Sequence, residues 1–591
     1  MYSGDGWTVH AFLLLSFAAT IASTSTVDTP YGQIQGFESG SANVFLGIRY
    51  AKAPVGDLRL EKPRRVDPWS SPMTATSFGA TCFPEFRRSN FQNFPLSEDC
   101  LFLNVFSPQT PPKASLLPVM VFFHGGAFMR GSSTELGVDG IVKNFVSRGV
   151  VFVTVNYRLS LLSFVTTEDN VLPGNLAFWD QTSALLFIKD IISGFGGNPD
   201  DITIAGSSAG AASVSALTLS PYSNRLFQKA IQISGSAFAY WAVGSPVGEQ
   251  SRLLFEALRC RGNSTEIKRC LKEKTIDEIL NVTEAMGRRY DQIGGIRYLP
   301  RMDGEFFPSD FKTLVGKAPR IPTISGVADT DAGPFVFANS NRTFITVTEP
   351  NRWNYTREEI EKVFTNFNSM VPGLKPLLEG FYLKEDNDSS TFYLSKLVDL
   401  ASDLAFNIPC HQESSVRASN NWPVYLFVEE FYDDESPRDE IPIEGSFHTN
   451  EMAYLFDVKP AFLILPEPKP GVGEEFKKNM LDGFISFVRT GFPRVGNVAW
   501  LPISVGKPFR YMNFNETSSM REGFFEESVQ FWTKFVPRRV DGTALRSVLP
   551  NLESGRKLMD AEPAKEVKSS STIGAFATSM FGLLLAWLIL N

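Results

Sequence analysis

Six apolar runs recur along the chain, each stopped by glycine or a polar turn. "LPVMVFFHGG" ends at Gly126 and "GVVFVTVNYR" at Arg158; "DITIAG", "KAIQISGS", "PTISGV" and "WPVYLFVEEF" follow. Val, Ile and Phe fill them almost without interruption, so these are not the alternating patterns of half-exposed strands. They predict strands buried on both faces of a mostly parallel sheet. Helical stretches lie between them. In "DQTSALLFIKDIISGF", Ala184, Ile188, Ile191 and Phe195 share one face at helical spacing. Asp180 is placed to open that helix and Gly196-Gly197 to close it. The alternation of strand and helix predicts an α/β architecture with crossovers. Such sheets carry their functional residues at the carboxyl ends of the strands.

Composition narrows the picture. The chain has 591 residues, 43% hydrophobic and 20% charged, enough to bury a large core. No linker-like or repetitive stretch appears between residues 25 and 540, so one large domain with insertions is expected. The net charge is −8 and no basic cluster stands out, which argues against nucleic acid as a partner.

The candidate chemistry begins at "DITIAGSSAGAAS", residues 201 to 213. Gly206-Ser207-Ser208-Ala209-Gly210 has the G-x-S-x-G spacing of a nucleophile elbow, a sharp strand-to-helix turn that holds its serine above the sheet edge. Glycine at both flanks removes Cβ atoms that would otherwise clash with neighbouring strands. Acyl transfer from a serine needs a base, an orienting acid and an oxyanion hole. The chain has four histidines: His10, His124, His411 and His448. By chain order and its place after the "VYLFV" strand, His448 is the expected base, with His411 the rival. The acid is expected between them. "PTISGVADTDAGPF" offers Asp329 and Asp331, of which Asp331 is the choice. In "FFHGGAF", Gly125 and Gly126 can present N–H groups to a developing oxyanion, and Ala209 adds a third at the helix start. No cofactor or metal is expected.

The ends of the chain carry other signals. "HAFLLLSFAATIA" within residues 1–22 reads as a secretory signal, with Thr20-x-Ala22 as the cleavage site. Six Asn-x-Ser/Thr sequons agree with secretion: Asn263, Asn281, Asn341, Asn354, Asn387 and Asn515. Cys82 and Cys100 are close in sequence, as are Cys260 and Cys270. Local pairing in an oxidising compartment closes two modest loops, each worth roughly 2–4 kcal/mol. Cys410 is left over and is read as buried and inert. At the C-terminus, residues 546–569 form a polar linker. Residues 570–591 then supply an eight-residue spacer and an apolar run from Met580 to Leu590. With Ser569-Ser570-Ser571 ahead of it, this is the pattern of a GPI-attachment signal. Cleavage near Ser569 and a lipid anchor on the outer leaflet of the plasma membrane are expected.

Matching segments run through nearly the whole mature chain, residues 23–545. They include "TPYGQIQG", "FLGIRYAKAPVGDLRLEKP", "SEDCLFLNVFSP", "PGNLAFWDQ", "FGGNPDDITIAGSSAGAAS", "LSPYSNRLFQKAIQISGSA", "GSFHTNEMAYLF" and "FVRTGFP". On these the chain resembles the type-B carboxylesterases, the cholinesterase-like α/β-hydrolases, and their invertebrate members in particular. The resemblance implies an α/β-hydrolase fold, a large mostly parallel central sheet flanked by helices, with insertions. By position it implies Ser208 as nucleophile, Asp331 as acid, His448 as base, and Gly125, Gly126 and Ala209 as the oxyanion hole. The family's first two disulfides fall on Cys82–Cys100 and Cys260–Cys270. The partner of its third would stand near Val529, where there is no cysteine, in keeping with an unpaired Cys410.

Several positions depart from the family pattern. Ser207 stands where the family usually has Glu, and an Asp replaces the usual Glu as acid. Ser160, Ser163 and Ala177 replace glycines. The implied activity is hydrolysis of uncharged, apolar carboxyl esters, with a small-molecule ester as the partner and the oligomeric state left open. The alternative is a catalytically silent adhesion or ligand-binding relative at the cell surface. A true cholinesterase is disfavoured: relatives of that kind carry a tryptophan in the first disulfide loop, and "CFPEFRRSNFQNFPLSEDC" has none.

Overall fold

A computed structural model describes residues 24–86, 95–110, 115–244, 247–287, 296–337, 343–385, 389–433, 441–458 and 469–549. The signal segment, Ser569 with the C-terminal tail, sequons Asn341 and Asn387, and the middle of the first disulfide loop lie outside the described residues.

All six apolar runs are strands. Three strands precede them, Thr24–Thr29 (β1), Gly32–Ser39 (β2) and Ala42–Arg49 (β3), with the short Met73–Thr74 (β4) beside β2 and Phe102–Pro108 (β5) beside β3. The runs themselves are Leu117–Phe123 (β6), Val151–Val155 (β7), Gly197–Ser207 (β8), Lys229–Ile233 (β9), Thr323–Ala328 (β10) and Val424–Glu429 (β11). A small hairpin, Arg494–Val495 (β12) and Val498–Ala499 (β13), stands apart. Tyr511–Phe514 (β14) and Ser519–Arg521 (β15) complete the main sheet.

The order β7-β6-β8-β9-β10-β11-β14 is parallel throughout. Both flanks are antiparallel: β1, β2, β3 and β5 on one side, β15 on the other. The central strands are the fully buried ones, as near-continuous apolar runs require. From β6 the chain passes to β7 on one side, then returns to β8 on the other. That reversal is a topological switch point, where the strand ends open a crevice. The register brings those ends level: Phe123 pairs with Gly206, Ser207 with Ile233, and Ala328 with Glu429.

The helix after β7 begins earlier than its sequence suggests. It spans Leu176–Ile191, continues as a 3-10 turn over Ile192–Phe195, and stops at Gly196 with φ +79°. Asp180 therefore does not open it. It sits buried in the second turn and accepts from Arg158 Nε at 2.7 Å and Nη2 at 2.6 Å. An acidic residue near a helix start satisfies the dipole, but here a fully desolvated Arg–carboxylate fork fixes its place instead.

The two disulfides are Cys82–Cys100 and Cys260–Cys270. Cys410 is free and buried, its Sγ 3.3 Å from Ser325 Oγ, and burial pushes its thiol up to about 12. Such a thiol is almost wholly protonated and inert at neutral pH. Sequon residues Asn263, Asn281 and Asn354 are exposed and Asn515 is half-buried. Among the described residues no helix is long and apolar enough to cross a membrane.

Candidate active site

Ser208 closes β8 and caps the helix Ala209–Leu219, with φ +59° and ψ −124°. A non-glycine residue rarely holds this backbone, and the surroundings must over-determine it. They do so by close packing of glycines. A Cβ on Gly210 would stand 2.0 Å from the carbonyl oxygen of Phe123, at the end of β6. One on Gly206 would stand 2.4 Å from the backbone of Gly210. The second glycine thus clears the neighbouring strand as the sequence suggests. The first clears the helix that follows it, which allows the turn to be so sharp. The amide of Ser208 donates to Ile233 O at 2.8 Å and fixes the turn to β9.

The glycine pair after β6 comes directly against this elbow. A Cβ on Gly125 would lie 3.1 Å from Ser208 Cβ and 2.9 Å from Ser207 O. Gly126 has φ +107°, and Ala127 and Phe128 follow at +56° and +58°. Three successive left-handed residues turn the backbone tightly around Gly126 O, which accepts from Met129 N and Arg130 N. His124 supports the loop and is not aimed at Ser208 chemistry. Its ring stacks on Tyr157 at 4.3 Å, the Tyr157 hydroxyl donates to His124 O at 2.6 Å, and burial holds the imidazole down at about 4. At Gly126 a Cβ would stand 2.1 Å from Arg130 O. Gly126→Ala should therefore displace the loop and lower kcat by ~10²-fold or more, the typical loss for one oxyanion donor. An aryl-ester assay with unchanged circular dichroism checks this; activity within threefold of the parent would contradict it.

Asp331 and His448 meet. The His448 Nδ1 lies 2.5 Å from Asp331 Oδ1, and both side chains are buried. The other carboxylate oxygen of Asp331 accepts from Ser234 Oγ at 2.7 Å and from Ala328 N at 3.0 Å. These bonds fix the carboxylate, and through it the imidazole. Asp329, two residues earlier, faces the loop instead. Its Oδ1 accepts from Ser446 N at 2.7 Å and Thr330 Oγ1 at 3.1 Å, and burial raises its carboxyl to about 7. The rival histidine, His411, is stacked on Phe509 at 4.7 Å with Nε2 3.2 Å from Pro508 O, and burial lowers it to about 4.

The sequence did not point to Ser234, nor to the aromatic wall. Phe335 and Phe406 pack on the His448 ring at 5.1 and 4.8 Å, and Trp241 lies against Phe406 at 5.9 Å. The indole N–H of Trp241 donates to Ala405 O at 2.9 Å. Its polar edge is thereby satisfied by backbone. Among the described residues no group of three or more His, Cys, Asp or Glu side chains is placed to hold a metal ion.

Residues 23–532 match the description "Carboxylesterase family". The chain is 35% identical over 547 residues to gut esterase 1 of Caenorhabditis briggsae, which covers 89% of this chain and 95% of the relative. It is 31% identical over 554 residues to a mouse cholinesterase and 30% identical over 540 residues to a mouse acylcarnitine hydrolase. These cover 88% and 87% of this chain, and 88% and 91% of the relatives.

The chain belongs to the carboxylesterase family.

The carboxylesterase is a carboxylic ester hydrolase, and the expected α/β-hydrolase fold is the one observed. Its departures from the family pattern have structural counterparts. Ser163 Oγ accepts from Ala177 N at 2.6 Å, joining two of the replaced glycine positions. Ser160 keeps a left-handed backbone, φ +47°, and its amide donates to Phe128 O at 2.8 Å behind the oxyanion loop. Ser207 donates to Glu451 Oε1 at 2.9 Å.

Proposed function

We propose that the carboxylesterase works through an acyl-enzyme on Ser208 and prefers uncharged, apolar esters. The observation that carries this reading is the Asp331–His448 pair, held at the same sheet edge as the Ser208 elbow and the Gly125-Gly126 loop. Asp331 accepts from Nδ1–H and so leaves Nε2 as the basic nitrogen. His448 takes the Ser208 hydroxyl proton as Oγ bonds to the ester carbonyl carbon. The oxyanion is met by the N–H groups of Gly125, Gly126 and Ala209. Collapse breaks the carbon–alkoxy bond, and His448 returns the proton to the departing alcohol. Water then attacks the acyl-enzyme by the same route and releases the acid.

The apolar preference is supported by the walls. Phe335, Phe406 and Trp241 surround the base, so an acyl or alcohol chain entering there meets hydrocarbon. A desolvated cation–π contact with tryptophan is worth up to ~2 kcal/mol. The first disulfide loop offers no tryptophan for it and carries Arg87 and Arg88. The kcat/KM for acetylthiocholine should accordingly lie at or below that for an uncharged thioester of equal size. A clear preference for the choline ester would overturn the substrate assignment and leave the serine mechanism standing.

A further inference from the structure

Two buried carboxyls behind Ser208 have no part in the steps above. Glu429 is the last residue of β11, and its Oε1 accepts from Ser446 Oγ at 2.8 Å and Asn450 Nδ2 at 2.7 Å. Those donors stand two residues before and two after His448, so Glu429 grips both sides of the loop that carries the base. Asn450 Nδ2 also reaches Phe431 O at 3.0 Å. Glu451 follows on the helix Asn450–Phe456 and accepts from the hydroxyl of Ser207, the neighbour of Ser208. The two carboxyls thus join the base loop to the nucleophile elbow.

The charges around them can be named. Glu429 faces Glu451 and Asp331; Glu451 faces His448 and Asp331. Asp329, also buried, holds Ser446 N and faces Glu430, which is ion-paired to Arg521 at 3.0 Å. Burial lifts Glu429 well above the usual carboxyl range, further than Glu451, which is raised to about 7. His448 and the Ser207 hydroxyl both favour the charged form of Glu451. Desolvation thus disfavours charge on both at once, and the better-placed one keeps it.

We propose that Glu429 and Glu451 are a pair of positioning residues: Glu429, neutral, clamps the His448 loop, and Glu451, charged, is a second anion for the imidazolium formed during acyl transfer. This rests on the serine mechanism proposed above. Near neutrality the pair holds one proton, and full activity requires both an unprotonated His448 and an ionised Glu451. The acid side of the pH profile then reports two protons.

The test is log kcat/KM for an uncharged aryl ester between pH 5 and 9, with Ser208→Ala as control. In the wild type the acid limb should rise more steeply than one proton per pH unit. Glu451→Gln should reduce it to a one-proton slope, move it to lower pH, and lower the plateau kcat roughly tenfold with KM little changed. Glu429→Gln keeps the Oε1 acceptor and should reproduce the wild-type profile. Glu429→Leu should lower kcat at every pH without moving the limb. Ser207→Ala withdraws a hydrogen bond from charged Glu451 and should move the limb upward. If Glu451→Gln or Ser207→Ala leaves the limb unmoved, or Glu429→Gln behaves as Glu429→Leu, the pair has no such role. A Ser208→Ala variant as active as wild type would instead remove the serine mechanism itself.

Discussion

Replacing Ser208 with alanine should lower kcat by on the order of 10⁴–10⁶ with little change in Tm. Alanine keeps the Cβ that packs near Gly125 and can occupy the same left-handed backbone, so the elbow persists. What disappears is the oxygen that would form the acyl bond. Some hydrolysis above the uncatalysed rate should survive, because the Gly125-Gly126 loop still polarises a bound carbonyl. The measurement is kcat on a short-chain aryl ester, with circular dichroism and a thermal melt alongside. A variant that keeps more than a few per cent of the activity would place the chemistry elsewhere.

The second large effect separates two aspartates only two residues apart. Asp331→Asn should cost ~10³–10⁴ in kcat, because an amide can present N–H to His448 Nδ1 and stabilise the wrong tautomer. Asp329→Asn should stay within about fivefold, since its Oδ1 still accepts from Ser446 N and Thr330 Oγ1. Both variants are measured as kcat/KM at the pH optimum. Equal losses would mean that the loop as a whole supplies the acid, and a larger loss at Asp329 would reverse the assignment.

The parallel centre of the sheet was legible because two-sided burial leaves an unmistakable mark: β6 to β11 are apolar at nearly every position. The antiparallel flanks were not. β1 alternates between exposed and half-buried residues, and β15 has only three residues, so neither carries a continuous apolar run. The elbow was legible down to its glycines, since its backbone demands are local.

The helix start was misread, because Asp180 has the right chemistry for an N-terminus and its partner, Arg158, lies 22 residues away in sequence. Choosing Asp331 over Asp329 depends on Ser234, which only the pairing of β9 with β10 brings near. Glu429 and Glu451 were invisible for a similar reason. A carboxylate in sequence reads as surface, and nothing local says that a strand end and a helix start will bury two of them beside the base loop.

The account turns on whether Ser208 is the reacting atom's owner. Incubation of the intact protein with a fluorophosphonate, followed by mass spectrometry of its peptides, tests this directly. Stoichiometric phosphonylation of Ser208, blocked by prior exposure to an uncharged ester and lost in Ser208→Ala, is the predicted result. An active enzyme that takes up no label, or takes it at another serine while Ser208 stays unmodified, would contradict it.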